Sequence, residues 1–456
     1  MEIKEIYDVY DKYLDKDVCV QGWIRKHRKQ KEIGFIELSD GTCFKTIQIV
    51  YDVKTKDFEQ IQKIHIGSSI KVIGKLVRKV NSELELELKA IEIKLIGDCP
   101  EDYPIQSKKH TKEFLREQAY LRPRTRLFSA IFRVRSVASM AIHEYFQSHG
   151  YLYVHAPILT ASDCEGAGEM FEVTTQDLDM VAKSGNVDYA KDFFRKKVGL
   201  SVSTQFEAET FAQAFSKVYT FGPTFRADHS NTPYHVAEFW QIEPEVAFCD
   251  LDGIMDIGED LLKFVIKYVL ENAKDEMEYL DEYCEDGLIE KLIKTMQVDF
   301  KRVPYSECIK ILQESSKDWE FKPEYGSDIA KEHEKYLTEY FKCPIFITMW
   351  PKHLKAFYMK QLDDGTVAAA DLELPGIGET FGMSQREEEF EKLLSRMKEL
   401  DMKIEEYDWY LKLRLYGTCT RSGFGIGFER LLMYITGMKN IRDVIPYPRT
   451  ERNCDY

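Results

Sequence analysis

The pattern of apolar and polar positions divides the chain into a first part made of short strands and a longer part of mixed character. Between residues 18 and 98, five segments alternate apolar and polar residues or contain runs of β-branched ones, and Gly, Asp-Gly and Asn-Ser breaks separate them. These predicted strands are 18–24, 34–40, 46–52, 68–77 and 84–93, with a helical interruption at 57–64. The pattern predicts a small β-barrel.

A basic stretch, RKHRKQK at 25–31, favours one kind of barrel. It contains Arg25 and Arg28, and it lies beside Phe35 and Gln48 of the next strands. Rings that stack on bases and cations that follow a phosphate backbone are what an unpaired nucleic-acid strand requires. The combination favours an OB-fold, although the strand count also fits an SH3-like barrel. The alternatives are a solvated basic face and a core position for Phe35.

The longer part begins after a polar connector, GDCPEDYPIQSKKH at 97–110. Apolar residues at helical spacing then predict a helix from 127 to Gly150, followed by a strand that ends at Pro157. A second helix is predicted at 254–270, and a glycine-spaced strand at 423–427 leads into a helix near Glu429. The whole chain is therefore predicted to be α+β. Its expected domains are 1–98 and 116–456, with a hinge at 99–115.

Composition limits the class of protein further. The 456 residues suffice for two or three domains, and the net charge of −15 argues only weakly against nucleic acid, because salt screens each charge beyond about 10 Å. There is no apolar run of about 20 residues and no signal-peptide pattern at the start. Ten cysteines without a C-x-x-C pair favour reduced thiols and packing roles. We therefore expect a cytoplasmic protein that has no membrane partner.

Four motifs of the longer part occur in a recognisable order. They are LTASDCEGAGEMF at 159–171, FRADHSNTPYHVAEFWQIEPEVAF at 225–248, PGIGE with SQRE within 375–387, and GFERLLMYITGMKNIRDVIPYPRT at 427–450. With the barrel, they resemble asparaginyl-tRNA synthetases, of the aspartyl/asparaginyl subgroup of class II aminoacyl-tRNA synthetases. The resemblance covers essentially the whole chain. AEFW…EPE and NIRDVIP separate it from the aspartyl enzymes.

The resemblance implies a fold and an activity. An OB-fold barrel would read the tRNA anticodon with Arg25, Arg28, Phe35 and Gln48, and a class II antiparallel-sheet domain would ligate asparagine to tRNA in a homodimer. The amino-acid carboxylate attacks the α-phosphate of ATP, so the protein supplies positioning and positive charge rather than a nucleophile.

The resemblance also implies the residues that bind ATP and Mg²⁺. Arg226 would hold the α-phosphate, Phe239 would stack on adenine, and Arg430 would cover the other adenine face and reach the γ-phosphate. His235 would belong to the same ATP site. Glu379 would hold Mg²⁺, and Asp371 would assist it.

The amino-acid pocket is implied in the same way. Glu169 would bind the ammonium group of asparagine, Arg386 its side-chain oxygen, and Gln205 would contribute to the pocket. An arginine suits an amide and a carboxylate equally, so the choice of asparagine over aspartate needs an acceptor for the amide NH₂ or a group that repels a carboxylate. The acidic candidates are Glu207, Glu209 and Glu245.

The sequence departs from the family at several positions around this pocket. They are Thr204, Glu207, Tyr234, Met383, Thr420 and Arg421. The hairpin reads SNTPYH where the family has SNTSRH, and we hypothesise that Arg421 partly replaces the missing arginine near the ATP phosphates. Alternatively, Arg421 points to solvent or alters the amino-acid pocket.

Two other functions stay open from the sequence. One is a paralogue with the same adenylation chemistry but another amino acid or acceptor, including an enzyme that amidates an activated β-carboxylate to make asparagine. The other is a tRNA-binding protein without catalysis, which would not need Arg430 or Glu379. The acidic segment 275–292 is expected to be a solvated helix.

Overall fold

A computed structural model describes residues 1–79, 86–162, 164, 170–230 and 232–456. Contacts between α-carbons divide the chain into two compact units, Met1–Phe132 and Arg133–Tyr456. The domain limits expected from the sequence, at 98 and 115, stay a prediction.

Fifteen strands form within the described residues. They are β1 (Asp17–Lys29), β2 (Ile33–Ser39), β3 (Ile47–Asp52), β4 (Ser69–Arg78), β5 (Leu86–Gly97), β6 (Leu152–Tyr153), β7 (Leu159–Thr160), β8 (Gly199–Leu200), β9 (Lys217–Phe225), β10 (Glu238–Ala247), β11 (Lys301–Pro304), β12 (Ile345–Pro351), β13 (Thr366–Leu374), β14 (Gly378–Gln385) and β15 (Arg421–Gly427).

Helices complete the two units. The α-helices are α1 (Ile3–Asp8), α2 (Tyr10–Tyr13), α3 (Phe58–Ile61), α4 (Lys112–Glu117), α5 (Arg126–Ser148), α6 (Leu178–Ser184), α7 (Gln205–Phe215), α8 (Leu251–Asn272), α9 (Lys274–Tyr283), α10 (Leu288–Gln297), α11 (Tyr305–Glu314), α12 (Lys331–Phe341), α13 (Phe390–Glu399), α14 (Asp408–Lys412) and α15 (Phe428–Thr436). Short 3₁₀ helices occur at Arg122–Arg124, Tyr189–Lys191, Lys352–Leu354, Ile404–Tyr407 and Ile441–Asp443.

The first unit contains a closed barrel with the strand order β1-β2-β3-β5-β4. Every second residue from Val18 to Ile24 in β1 and from Ile70 to Leu76 in β4 is buried, as the two-residue period of a strand requires when one face lines a barrel. The buried side chains form one apolar core that includes Val20, Ile36, Ile49, Val72 and Leu88. The predicted OB-fold barrel is confirmed.

The second unit is built on an eight-stranded sheet with the order β11-β12-β13-β14-β15-β10-β9-β6. Its central pairs, from β12 through β15 and β10 to β9, are all antiparallel. Every residue of β13 is buried, and helix α8 packs against β13, β14 and β15. Such a sheet agrees with the predicted class II antiparallel catalytic domain, and the α+β fold class is confirmed.

Two elements differ from the sequence-based expectation. The strand predicted to end at Pro157 is reduced to the two residues of β6, which pair with β9. The acidic segment 275–292 is not one solvated helix. It contributes to α9 and α10, which bury Met277, Leu280, Leu288 and Leu292. The charged residues therefore cover only one side of each helix.

Candidate active site

A cavity of about 390 Å³ opens in the second unit between the β9–β10 hairpin, β14, β15 and the start of α15. Seven residues selected from the sequence line it: Gln205, Arg226, His235, Phe239, Glu379, Arg386 and Arg430. Glu169, assigned to the ammonium group, lies outside the described residues. Residues distant in sequence thus meet in one cleft, at the size expected of a small-molecule site.

The β9–β10 hairpin places a cation and a ring at one end of the cavity. The backbone amide of Arg226 donates to the Ala237 carbonyl at 2.9 Å. This hydrogen bond joins the two strands where the hairpin loop begins. The guanidinium carbon of Arg226 lies 5.3 Å from the centre of the Phe239 ring. A flat ring beside a fixed guanidinium can stack on a base while its neighbour binds phosphate.

The glycine strand β15 gives this cavity its depth. A Cβ atom on Gly425 would lie 2.7 Å from the Gln241 amide nitrogen, so a larger residue would displace that side chain. Gly425 and Gly427 both line the cavity. The chain turns directly from β15 into α15, which places Arg430 in the first helical turn, where it donates to the Glu379 carbonyl at 3.0 Å.

The potential at this end of the cavity is positive. Burial lowers the pKa of His235, the charges of Arg430, Lys331 and Arg226 lower it further, and the charge of Asp228 opposes them. The His235 ring bonds to the Thr232 hydroxyl at 2.6 Å. A neutral imidazole surrounded by cations indicates a site that accepts a polyanion.

Glu379 lies on the opposite wall, and Asp371, which does not line the cavity, lies beside it across the β13–β14 pair. A Cβ atom on Gly382 would lie 3.9 Å from Glu379 Oε1 and 4.0 Å from Asp371 Oδ1, so both oxygens reach the same spot. Burial raises the pKa of Asp371 to about 7, the negative charge of Glu379 adds to this, and an ion pair with Lys355 opposes it.

This pair fits a divalent cation that is shared with a ligand. In the described part of the chain, no group of three or more His, Cys, Asp and Glu is arranged to hold a metal by itself. Mg²⁺ commonly binds one or two carboxylates together with substrate phosphates, which is what Glu379 and Asp371 could supply. Mutual repulsion of the two carboxylates would be relieved by such a cation.

The amino-acid end of the cavity is formed around Arg386. Its guanidinium pairs with Glu245 through two nitrogens, one at 3.2 Å, and donates to the Ser384 hydroxyl at 2.5 Å. A Cβ atom on Gly423 would come within 2.1 Å of Glu245 Oε1, so only glycine leaves space for this carboxylate. Arg386 is thereby held in one orientation with a charged face toward the cavity.

A carboxylate that sequence reasoning missed faces this end. Glu243 lines the cavity, whereas the three acidic candidates, Glu207, Glu209 and Glu245, do not. Glu243 accepts hydrogen bonds from the Ser203 hydroxyl and from the backbone amide of Thr204 at 2.8 Å. The two-residue period of a strand could have found it, because Phe239, Gln241 and Glu243 share one face of β10.

The unusual positions around the pocket separate into two groups. Tyr234 and Met383 line the cavity. Thr204, Glu207, Thr420 and Arg421 do not, and Thr204 acts on the cavity only through Glu243. The division shows which of the departures could touch a ligand.

The hypothesis that Arg421 replaces a lost phosphate-binding arginine is wrong. Arg421 has no exposed surface, and its Nε donates to Glu209 at 3.1 Å. It therefore points neither to the ATP end nor to solvent, because the buried Glu209 carboxylate attracts it into the interior.

The first unit presents part of the expected nucleic-acid face. The Arg28 guanidinium lies 5.3 Å from the Phe35 ring, and Phe35 is half-buried, outside the barrel core. Arg25 is the extra residue of a bulge between Ile24 and Lys26. Gln48 is buried, and its amide donates to Glu87 at 3.2 Å, so its NH₂ is already engaged.

Comparison with known proteins identifies the family. The profile "tRNA synthetases class II (D, K and N)" matches residues 111–451, and "OB-fold nucleic acid binding domain" matches residues 18–96. The chain belongs to the class II tRNA synthetases. The described part of this synthetase has no helix long and apolar enough to cross a membrane.

Relatives and solved structures narrow the family. The chain is 52% identical over 458 residues to "Asparagine--tRNA ligase" of Acholeplasma laidlawii, covering 99% of each, and 53% identical to the protein of that name from Bacillus anthracis, covering 100% of this chain and 99% of the other. The asparaginyl-tRNA synthetase of Pyrococcus horikoshii, complexed with asparaginyl-adenylate, is 31% identical and superposes with a TM-score of 0.86, covering 99% of this chain and 98% of that one.

Proposed function

We propose that this protein ligates asparagine to its tRNA through an asparaginyl-adenylate formed from ATP. The observation that carries the proposal is a single cavity with Arg226, Phe239 and Arg430 at one end and Arg386 with Glu243 at the other. Relatives that match this chain over its whole length are asparagine–tRNA ligases. An adenylate needs such a cavity, because its nucleotide and its amino acid must lie end to end.

The nucleotide is bound by charge and stacking. Phe239 stacks on adenine, Arg226 holds the α-phosphate against the attacking carboxylate, and Arg430 reaches the γ-phosphate. His235 stays neutral between these cations and donates or accepts one hydrogen bond. Arg430 is held by its hydrogen bond to the Glu379 carbonyl, and Arg226 lies against the Phe239 ring, so both can stabilise the charge that develops on the phosphate oxygens.

Mg²⁺ belongs at the Glu379 side of the cavity. When bound, it neutralises part of the phosphate charge. Glu379 provides the carboxylate for it, and Asp371 assists while remaining paired with Lys355. The Glu334 carboxylate accepts a hydrogen bond from the backbone amide of Glu379 at 3.1 Å. This contact fixes the backbone that carries the Glu379 side chain.

Asparagine is recognised by a hydrogen-bond donor on one side of its side-chain amide and by an acceptor on the other. Arg386 donates to the carbonyl oxygen, and Glu243 accepts from the NH₂ group. Aspartate would place a carboxylate against Glu243, which disfavours it by repulsion. Gln205 lines the cavity, and the family resemblance assigns the ammonium group to Glu169, which lies outside the described residues.

The tRNA is read by the barrel through Arg28 and Phe35, whose side chains lie together, and, as the family resemblance implies, through Arg25 and Gln48. We further propose a homodimer, as the family resemblance implies, with no membrane partner. A cytoplasmic location agrees with the ten cysteines, which the structure records as thiols and not as disulfides.

Pyrophosphate exchange with each of the twenty standard amino acids tests the function. We expect ATP–pyrophosphate exchange with asparagine alone, and attachment of labelled asparagine to tRNA. Exchange with a different amino acid would make the protein a paralogue of other specificity. Ammonia-dependent formation of asparagine from aspartate would make it an asparagine-synthesising enzyme, and the absence of exchange would leave only tRNA binding.

Replacing Phe35 by alanine tests the role of the barrel face. Because one stacked base is worth about 1–3 kcal/mol, we expect kcat/KM for tRNA to fall about 5- to 150-fold. Pyrophosphate exchange without tRNA and the melting temperature should not change.

The matched control is Ile36→Ala, at the next position of β2, where the side chain is fully buried in the barrel. Loss of a core side chain of this size costs about 2–5 kcal/mol of stability. A Phe35→Ala variant that melts as early as Ile36→Ala and charges tRNA normally once folded would place Phe35 in the core instead.

A further inference from the structure

Behind the amino-acid end of the cavity lies a buried network of charges that does not line it. The network consists of Glu209, Arg414, Arg421 and Tyr410, and the first three side chains have no exposed surface. Glu209 Oε2 accepts from Arg421 Nε at 3.1 Å and from Arg414 Nη2 at 3.3 Å, and the Tyr410 hydroxyl donates to Oε1 at 2.5 Å. Burying so many charges is costly unless each is held by several partners.

Two links join this network to groups that do line the cavity. The Gln205 amide nitrogen donates to Glu209 Oε1 at 3.3 Å. The backbone amide of Arg386 donates to the Arg421 carbonyl at 2.9 Å, across adjacent strand ends. Gln205 and Arg386, both on the wall where the amino acid binds, are therefore attached to the same buried unit.

Arg421 is fixed from its other side as well. Its Nη1 donates to the Thr418 hydroxyl and to the Cys419 carbonyl, each at 3.1 Å. The guanidinium thus bridges the segment before β15 and the Glu209 carboxylate, which a single ammonium on a lysine cannot do with the same geometry.

Arg421 is one of three guanidiniums that keep the Glu209 carboxylate charged. Burial raises the pKa of Glu209, but Arg414, Arg421 and Arg386 outweigh it and lower the pKa to about 2. Without Arg421, a buried anion would retain one direct guanidinium partner, Arg414, and would be drawn toward Arg386. Arg386 would then divide its charge between Glu209 and Glu245.

We propose that Arg421 is a positioning residue for amino-acid selection: it acts through Glu209 on Gln205, and through its own carbonyl on Arg386. The inference rests on the proposed function, since it concerns how this cavity binds asparagine. Arg421 does not touch the substrate. Displacements of about 1 Å in groups that position a substrate can cost about 100-fold in rate, so a residue behind the wall can control binding.

Two variants, Arg421→Lys and Arg421→Gln, test the proposal in asparagine-dependent pyrophosphate exchange. We expect the KM for asparagine to rise about 10-fold or more in Arg421→Gln and by a smaller factor in Arg421→Lys, which keeps the charge beside Glu209. The KM for ATP should stay within about twofold of the unchanged protein, because the nucleotide end is bound by Arg226, Phe239 and Arg430.

Arg396→Gln is the matched control. Arg396 is also a buried arginine of the second unit, but it pairs with Glu399 at 2.9 Å and donates to the Lys352 carbonyl at 3.0 Å, away from the cavity wall. This variant should lower the melting temperature and leave both KM values unchanged. A purely structural role for Arg421 would give the same result in its variants.

Each outcome either supports or overturns the proposal. A selective rise in the KM for asparagine supports the proposal, and an unchanged KM for asparagine or an equal rise in both KM values overturns it. If Arg421→Gln does not fold, Arg421→Lys decides on the same criterion. Absence of asparagine-dependent exchange in the unchanged protein would instead refute the proposed function, and this inference with it.

Discussion

Replacing Arg226 by alanine is expected to lower the rate of asparagine-dependent pyrophosphate exchange about 100- to 1,000-fold. Loss of one preorganised donor to a developing oxyanion has an effect of this size. Arg226 lies 5.3 Å from the Phe239 ring, so its removal takes the charge from the α-phosphate and leaves the adenine platform in place. The expected loss is therefore in kcat more than in the KM for ATP, as steady-state exchange would measure.

Arg302→Ala is the matched control for this change. Arg302 belongs to the same unit and pairs with Asp252 at 2.7 Å and with Asp256, on a partly exposed surface. Because surface ion pairs contribute little, its loss should leave exchange within about twofold. Binding of tRNA should be unchanged in both variants. If Arg226→Ala exchanges pyrophosphate at the rate of the wild-type protein, Arg226 has no role in the reaction.

Replacing Glu379 by glutamine is expected to cause the second large effect. Glutamine keeps the shape of the side chain but lacks the negative charge that a hard cation requires. We expect exchange at 1 mM Mg²⁺, a concentration of about physiological order, to fall about 100-fold, since changes even beyond the direct ligands of a metal cost 10- to 100-fold. Raising the Mg²⁺ concentration should recover part of the rate.

Glu339→Gln controls for the loss of an acidic residue in the same unit. Glu339 lies on α12, where its exposed carboxylate is 3.9 Å from the Lys335 ammonium. Its replacement should not change the Mg²⁺ dependence. An unaltered Mg²⁺ titration in Glu379→Gln would mean that the Glu379 carboxylate does not hold Mg²⁺.

The sequence could place the ATP end of the site because its residues occur in local patterns. Arg226 and Phe239 flank one hairpin, and Arg430 follows a glycine strand, and the resemblance of these motifs to class II synthetases implied that the three share an ATP site. The structure brings these residues into one cavity as expected. Their roles in catalysis stay predictions until the variants are measured.

The amino-acid end could not be placed in this way. The sequence offered Glu207, Glu209 and Glu245 as candidates, yet Glu243 faces the cavity and Glu245 lies behind Arg386. A two-residue period assigns residues to a face of the strand, but it does not say which of them a long side chain from another strand will cover.

The sequence by itself predicted the barrel through its alternation, and the resemblance of its motifs to class II synthetases implied the antiparallel sheet and the residues of the ATP end, because alternation and motifs are properties of neighbouring positions. Only the tertiary structure decided the direction of Arg421. Its partners come from α7 and from the segment before β15, and its guanidinium pairs with the buried carboxylate of Glu209. Pairing between distant segments depends on how the elements pack, and buried charges must find partners wherever packing places them.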